Sequence, residues 1–197
     1  MPAGAPCKTR RSQLAGDHPQ WRPHFQRKTP FFEADRRPGR SRKYPMLNRG
    51  YRHLRKGRFS ETGRIYLVTT VTRNRRHVFR DLYAGRILVK ALIAEESAGH
   101  LESLAYVVMP DHLHWLVQLC DGSDLSACVQ RSKSISAREL NRYLGSAGKF
   151  WQKGFHDRAL RRQEDMVDIA RYVVANPLRG GLVRSVREYP LWDAVWI

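Results

Sequence analysis

Two apolar runs, Leu101–Met109 and His112–Leu119, are separated only by Pro110-Asp111, and this spacing constrains the chain more than any other feature. Each run has the length and β-branched content of a strand, and proline at the junction removes a ladder donor and sets up a reversal, so the pair reads as a hairpin. Along the second strand a period of two puts His112 and His114 on one face and Leu113, Trp115 and Val117 on the other. One face is therefore built for a core, and the other carries two imidazoles.

The flanking sequence supplies partners for that hairpin. Ile65-Tyr66-Leu67-Val68-Thr69-Thr70-Val71-Thr72 is almost wholly β-branched or aromatic, the composition of a central strand. After the basic turn Arg73-Asn74-Arg75-Arg76, residues 82–98 place Leu82, Ile87, Leu88, Ala91, Leu92 and Ala94 at a broadly helical period, with Gly99 as the stop. A second helix is expected over 124–144, ended by Gly145-Ser146-Ala147-Gly148, and a short fourth strand around Phe155 to Leu160. Glu164 to Ala175 reads as a third helix that stops at Asn176-Pro177, because a residue before proline resists the α conformation. The order βαββαβα is the split-βαβ, ferredoxin-like α+β arrangement, an antiparallel sheet with helices packed on it.

Charge points to a polyanionic partner. The chain carries a formal net charge of +18 over 197 residues. Residues 1–60 hold 16 Lys/Arg against 3 Asp/Glu, and 61–197 hold 20 against 15, so most of the excess lies near the N-terminus. Residues 1–45 are rich in Arg and Pro without apolar period and are expected to be disordered. They fit either a basic arm that grips phosphates nonspecifically or a translation start placed upstream of Met46. Residues 46–197 are expected to form a single catalytic-sized domain. No run approaches the roughly 18 to 20 apolar residues of a membrane span, and no secretory apolar stretch opens the chain. Cys7, Cys120 and Cys128 form neither a CxxC pair nor an even set, which suits a reducing, cytoplasmic compartment.

Two constellations carry chemistry. Two same-face imidazoles at 112 and 114 are able to share a metal, although His-x-His alone fits a solvated strand face equally well. In Tyr172-Val173-Val174-Ala175-Asn176, four-residue spacing stacks phenol and amide on one side of the third helix, flanking the apolar stripe of Met166, Val167, Ile169, Ala170, Val173 and Val174. Taken singly, such a tyrosine is commonly a packing residue. Together the two make chemical sense: a phenol attacking a phosphate needs a nearby cation, and an amide oxygen completes a two-histidine site. The other tyrosines, such as Tyr66, Tyr143 and Tyr189, lack an amide at the fourth position on a matching helix. Arg73, Arg75 and Arg76 beside the sheet, and Lys133, Arg138 and Arg142 on the second helix, are candidates to track a DNA backbone, and Trp151 is a candidate to stack on an unpaired base.

The same residues resemble the REP-associated tyrosine transposases, single-tyrosine enzymes of the HUH type. The resemblance runs from about Leu54 to Trp192. It rests on Arg55-Lys56-Gly57-Arg58, Val108-Met109-Pro110-Asp111-His112-Leu113-His114-Trp115, Gln130-Arg131-Ser132-Lys133-Ser134-Ile135-Ser136-Ala137-Arg138, Trp151-Gln152-Lys153-Gly154-Phe155-His156-Asp157, and Tyr172-Val173-Val174-Ala175-Asn176-Pro177-Leu178-Arg179-Gly180-Gly181-Leu182-Val183. Val174 departs from the histidine common there, and residues 1–45 have no counterpart. The resemblance implies that Tyr172 is the nucleophile and that His112, His114 and Asn176 ligate Mg2+ or Mn2+. It further implies that the substrate is single-stranded or REP-type hairpin DNA, cut and rejoined through a 5′-phosphotyrosine by a monomer or homodimer. No Gly-rich phosphate loop is present, in keeping with a reaction that needs no nucleotide cofactor. Two rivals stand beside this: a non-enzymatic nucleic-acid binder with an RRM-like sheet, and a zinc hydrolase, which would want a third histidine or carboxylate ligand. A protein beginning at Met46 is expected to fold and to cleave, with weaker and less salt-dependent nonspecific DNA binding. Circular dichroism and a salt titration of binding check this, and loss of folding would count against it.

Overall fold

The computed structural model describes residues 60–160 and 165–196; the basic segment 1–45, the stretch 55–58 and Glu164, invoked above, lie outside them. The hairpin forms where the alternation placed it. β2 (Leu101–Met109) and β3 (His112–Leu119) pair antiparallel from Leu101 opposite Leu119 to Met109 opposite His112, leaving Pro110 and Asp111 as a two-residue turn. The turn carbonyls are anchored from outside, Pro110 accepting from the Phe79 N–H and Asp111 from the Thr72 N–H.

β1 (Ile65–Val71) pairs with the other side of β3, and β4 (His156–Ala159) adds to β1. β5 (Trp192–Ala194) adds to the far edge of β2, so the sheet runs β4-β1-β3-β2-β5 and every pair is antiparallel. The inner order β4-β1-β3-β2 is the expected split-βαβ sheet. β5 was not anticipated, because three residues are too few for a period to register.

Two helices cover one face. α1 (Leu82–Ser97) starts at Asp81, whose carboxylate accepts from the Tyr83 and Ala84 N–H groups. It ends in a Schellman motif: Gly99 takes φ +71°, its N–H donates to Glu96, and the His100 N–H donates to Glu95. α2 (Leu125–Tyr143) is capped by Asp124. Ala84, Leu88 and Leu92 of α1 and Leu125, Cys128, Val129 and Leu140 of α2 pack against Tyr66, Val68, Leu113, Trp115, Val117 and Leu119 of the sheet. At the α1–α2 seam the buried Glu95 carboxylate accepts from Arg131 through both Nε and Nη2.

The other face carries α3 (Asp165–Val174), whose Met166, Ala170, Val173 and Val174 pack on Leu104, Ala105, Val107, Met109 and Leu116. The third helix was expected to stop at Asn176-Pro177. It stops instead at Val174, and after Ala175 one further turn forms, α4 (Asn176–Arg179), with Pro177 in its first turn. Proline is compatible there because a first-turn N–H has no helical acceptor. No helix among the described residues is long and apolar enough to cross a membrane.

Trp151 belongs to the first core. It is 7% exposed, its ring centroid lies 5.7 Å from Phe79 and 5.3 Å from Phe150, and its Nε1–H donates to Ser136 Oγ. Trp151→Ala is expected to cost about 3–5 kcal/mol in urea unfolding, as deletion of a buried aromatic does. A loss under about 1 kcal/mol would mean that the ring is not a core element.

Candidate functional site

The register of β3 sets the site. Leu113, Trp115 and Val117 point into the α1–α2 core, so His112, His114 and Leu116 emerge on the α3 side. His112 lies opposite Met109 on β2 and Val71 on β1, and His114 opposite Val107 and Thr69. The two rings stand edge to face with centroids 4.8 Å apart.

Each imidazole is held through Nδ1. His112 Nδ1 lies 2.5 Å from Asp111 Oδ1, and a carboxylate only accepts, so this nitrogen carries the proton and Nε2 faces away. Burial opposes ionisation of Asp111, but the hydrogen bond and charge of His112, together with Arg75, outweigh it and hold the carboxyl below its usual range. Arg75 Nη1 sits 3.0 Å from Asp111 Oδ2. That reach uses a strained turn, since Asn74 and Arg75 adopt φ +56° and +51°, the left-handed region that costs a side-chain-bearing residue energy. His114 Nδ1 lies 2.9 Å from Thr69 Oγ1. Metal ligation through His114 Nε2 requires the tautomer in which Nδ1 donates to this hydroxyl.

Tyr172 comes from α3, packed on the same face, and Asn176 opens α4 directly after it. The Asn176 Nδ2 amide donates to the carbonyls of Tyr172 and Val173, each at 3.0 Å. Carbonyls only accept, so the amide orientation follows and Oδ1 is turned away from the helix. The end of α4 lies above the His112 row: a side chain at Gly180 would come within 3.4 Å of Met109 Cε, and Met109 is the cross-strand partner of His112. Arg179 was not singled out from sequence, yet its Cζ lies 4.1 Å from the centroid of the Tyr172 ring. Its charge also reaches His114, whose pKa is pushed down to about 3 by burial first and then by the neighbouring His112 and Arg179. His114 is therefore neutral at physiological pH, the state in which an imidazole ligates. A cluster of three His, Cys, Asp or Glu side chains suited to a metal is absent among the described residues.

The remaining candidates divide. Arg73, Arg75 and Arg76 lie in the loop beyond Val71, at the His112 end of the sheet, where Arg75 is tied to Asp111 and Arg76 lies over the Phe150 ring. Lys133, Arg138 and Arg142 lie on α2, across the sheet from Tyr172. Lys133 departs from the expected role: its ammonium donates to the carbonyls of Gln152 and Gly154, and burial lowers its pKa to about 8, so it fastens the segment leading into β4. Arg138 and Arg142 are exposed and pair with Glu139. Trp151, a candidate to stack on a base, is core, because the bridge between Thr72 and Trp151 draws this segment under α2. Lone aromatic positions do not reveal in advance on which side of a core they fall.

For His114 the folded-state pKa lies below the ordinary 6.5, so the unfolded chain binds the proton more readily. Stability is complete at neutral pH and is lost as pH falls from about 6.5 towards 3. Metal-free wild-type protein is expected to lose more of its urea midpoint between pH 7 and pH 4 than His114→Leu does. Parallel losses would show that the ring is not held neutral.

Comparison with known proteins bears on the family and the fold. Residues 62–176 match the family described as "Transposase IS200 like". A putative REP-associated tyrosine transposase of Haemophilus influenzae is 28% identical over 99 residues, covering 45% of this chain and 56% of that protein, so the match spans little more than half of that relative. The REP-associated tyrosine transposase of Escherichia coli K12 is 28% identical over 137 residues, 68% of this chain and 78% of that one. The solved structure of a REP-associated tyrosine transposase bound to a REP hairpin superimposes with a TM-score of 0.59 at 26% identity, covering 69% of this chain and 79% of that one. With a matching sheet, the hairpin histidines and the family match running through Asn176, the chain belongs to the IS200-like transposase family.

Proposed function

We propose that this protein cuts and rejoins single-stranded or hairpin DNA by transesterification, with Tyr172 as the nucleophile. The observation that carries this reading is that two sequence-distant motifs share one sheet face, His112 and His114 on β3 and, on the helices that follow one another over it, Tyr172 on α3 and Asn176 at the start of α4. In the proposed step the Tyr172 phenol oxygen attacks the scissile phosphorus in line. An Oη–P bond forms and the P–O3′ bond breaks, leaving DNA joined through its 5′ phosphate to Tyr172, while the phenol proton ends on the released 3′ oxygen. The 3′-hydroxyl of another strand reverses the step. One phosphodiester is exchanged for another, so no nucleotide is consumed.

His112 and His114 through Nε2, and Asn176 through Oδ1, would hold a divalent ion, Mg2+ or Mn2+ in this reading. Their hydrogen bonds support the fit, because in all three the atom bonded within the protein is the one that would not ligate. Such an ion supplies charge neutralisation and Lewis-acid polarisation for a phosphate. Asp111 and Thr69 would orient the two rings, and Asp111 in turn is steadied by Arg75. The substrate in this reading is hairpin-forming DNA of the REP kind, supported by the hairpin bound in the solved relative and by the net charge of +18.

Tyr172→Phe keeps the ring and removes the attacking oxygen. It is expected to bind hairpin DNA from the flanks of its own gene as the wild type does, but to form no denaturant-resistant adduct and no nick in Mn2+. A water-activating hydrolase would still nick, and a simple binder would never have done so. Mass spectrometry of the wild-type adduct should place the DNA on the peptide containing Tyr172. Finding it on Tyr143 or Tyr189 would overturn the assignment.

A further inference from the structure

Arg179 is a charged side chain of the site that stacks on the ring of Tyr172. It is exposed at the last position of α4, and no carboxylate among the described residues forms an ion pair with it. Asp111, the carboxylate beside His112, is already engaged by His112 and Arg75. Its placement is nonetheless well defined: the backbone N–H of Arg179 donates to Ala175, that of Gly180 donates to Asn176, and the guanidinium stacks 4.1 Å from the Tyr172 ring centroid. A permanent cation lies on the face of the Tyr172 ring, with no carboxylate among the described residues paired to it.

We propose that Arg179 is a catalytic residue that grips the non-bridging oxygens of the scissile phosphodiester while its guanidinium plane stays stacked on Tyr172. This deepens the nucleophilic reading of Tyr172 and rests on it. A guanidinium presents a planar fork of donors that matches two phosphate oxygens and stacks on an aromatic face at the same time; an ammonium does neither. Seated on the nucleophile's own ring, such a fork would align the phosphorus with the phenol oxygen. It would also answer the negative charge that grows on the equatorial oxygens during attack, where a preorganised donor acts most strongly. Asn176 and Arg179 lie three residues apart on one turn, so the residue assigned to the metal and the residue assigned to the phosphate move as one unit with Tyr172.

The test uses the full chain and a hairpin oligonucleotide copied from the flanks of its own gene, with the cleaved linkage first mapped by the wild-type protein. A second oligonucleotide carries a methylphosphonate at that linkage, which replaces one charged oxygen by a neutral methyl group. On the ordinary phosphodiester, Arg179→Ala and Arg179→Gln are expected to form the covalent adduct on the order of a hundredfold more slowly than wild type, with hairpin affinity nearly unchanged. Arg179→Lys should recover only part of the rate. On the methylphosphonate the difference between wild type and Arg179→Ala should shrink to within about threefold, because the charge that Arg179 answers is gone. An Arg179→Ala variant as fast as wild type would overturn the proposal, and so would a hundredfold defect that persists on the methylphosphonate, which would mark Arg179 as a holder of the Tyr172 ring alone. Absence of any adduct with the wild-type protein would remove the nucleophilic reading and this one together, an outcome distinct from either.

Discussion

The register of β3 between β1 and β2 is the constraint on which the rest of this structure depends. Strand side chains alternate strictly, so a slip of one residue would turn Leu113, Trp115 and Val117 towards α3 and bury His112 and His114 beneath α1 and α2. The register is secured by the apolar residues rather than the histidines: Trp115 and Val117 are almost fully buried, and the Trp115 Nε1–H finds Ser103 Oγ at 2.9 Å. The two-residue turn at Pro110-Asp111 adds a second lock, since its carbonyls are held by Phe79 and Thr72 from the loop after β1. The candidate chemistry is thus displayed by a core that takes no part in it.

That core also decides the electrostatics. Bringing α3 and α4 onto the histidine face removes water from His114, the Arg179 guanidinium adds positive potential, and both effects favour a neutral ring. Asp111 resists its own burial only because Arg75 and His112 flank it. The guanidinium of Arg75 reaches it from a turn with two residues in the left-handed region, and the Thr72 hydroxyl lies within hydrogen-bond distance of the Arg76 and Asp111 carbonyls at the base of the same turn. Backbone strain in this loop therefore coincides with the positioning of a group beside a candidate ligand.

The basic residues separate by what surrounds them. Lys133 spends its donors on backbone carbonyls and acts as a staple, Arg131 closes on the buried Glu95, and Arg138 and Arg142 share Glu139 on an exposed helix. Arg179 differs in lying against an aromatic ring beside the histidines. A count of positive charge treats these side chains alike, whereas burial and partners assign them different work.

Much of the fold was legible in the residues. Hairpin boundaries, the β1 run, Gly99 as a helix stop and the same-face histidines follow from periodicity, turn chemistry and proline geometry, all of which act over a few neighbouring residues. His112, His114, Tyr172 and Asn176 were legible as two local patterns and through a family resemblance. Other features were not. β5 is too short to show a period, the extra turn at Asn176–Arg179 contains a proline that by local rules ends a helix, and no local pattern at Trp151 decided between core and base stacking. Nor was there any sign that Lys133 would be spent on carbonyls or that Arg179 would lie over Tyr172. Each of these depends on contacts between segments far apart in the chain. The sequence by itself determined which residues alternate, turn and cap; which face meets which helix, and what each charge finds there, was decided only when α3 closed over the sheet, because burial and electrostatic partnership are properties of packed neighbours.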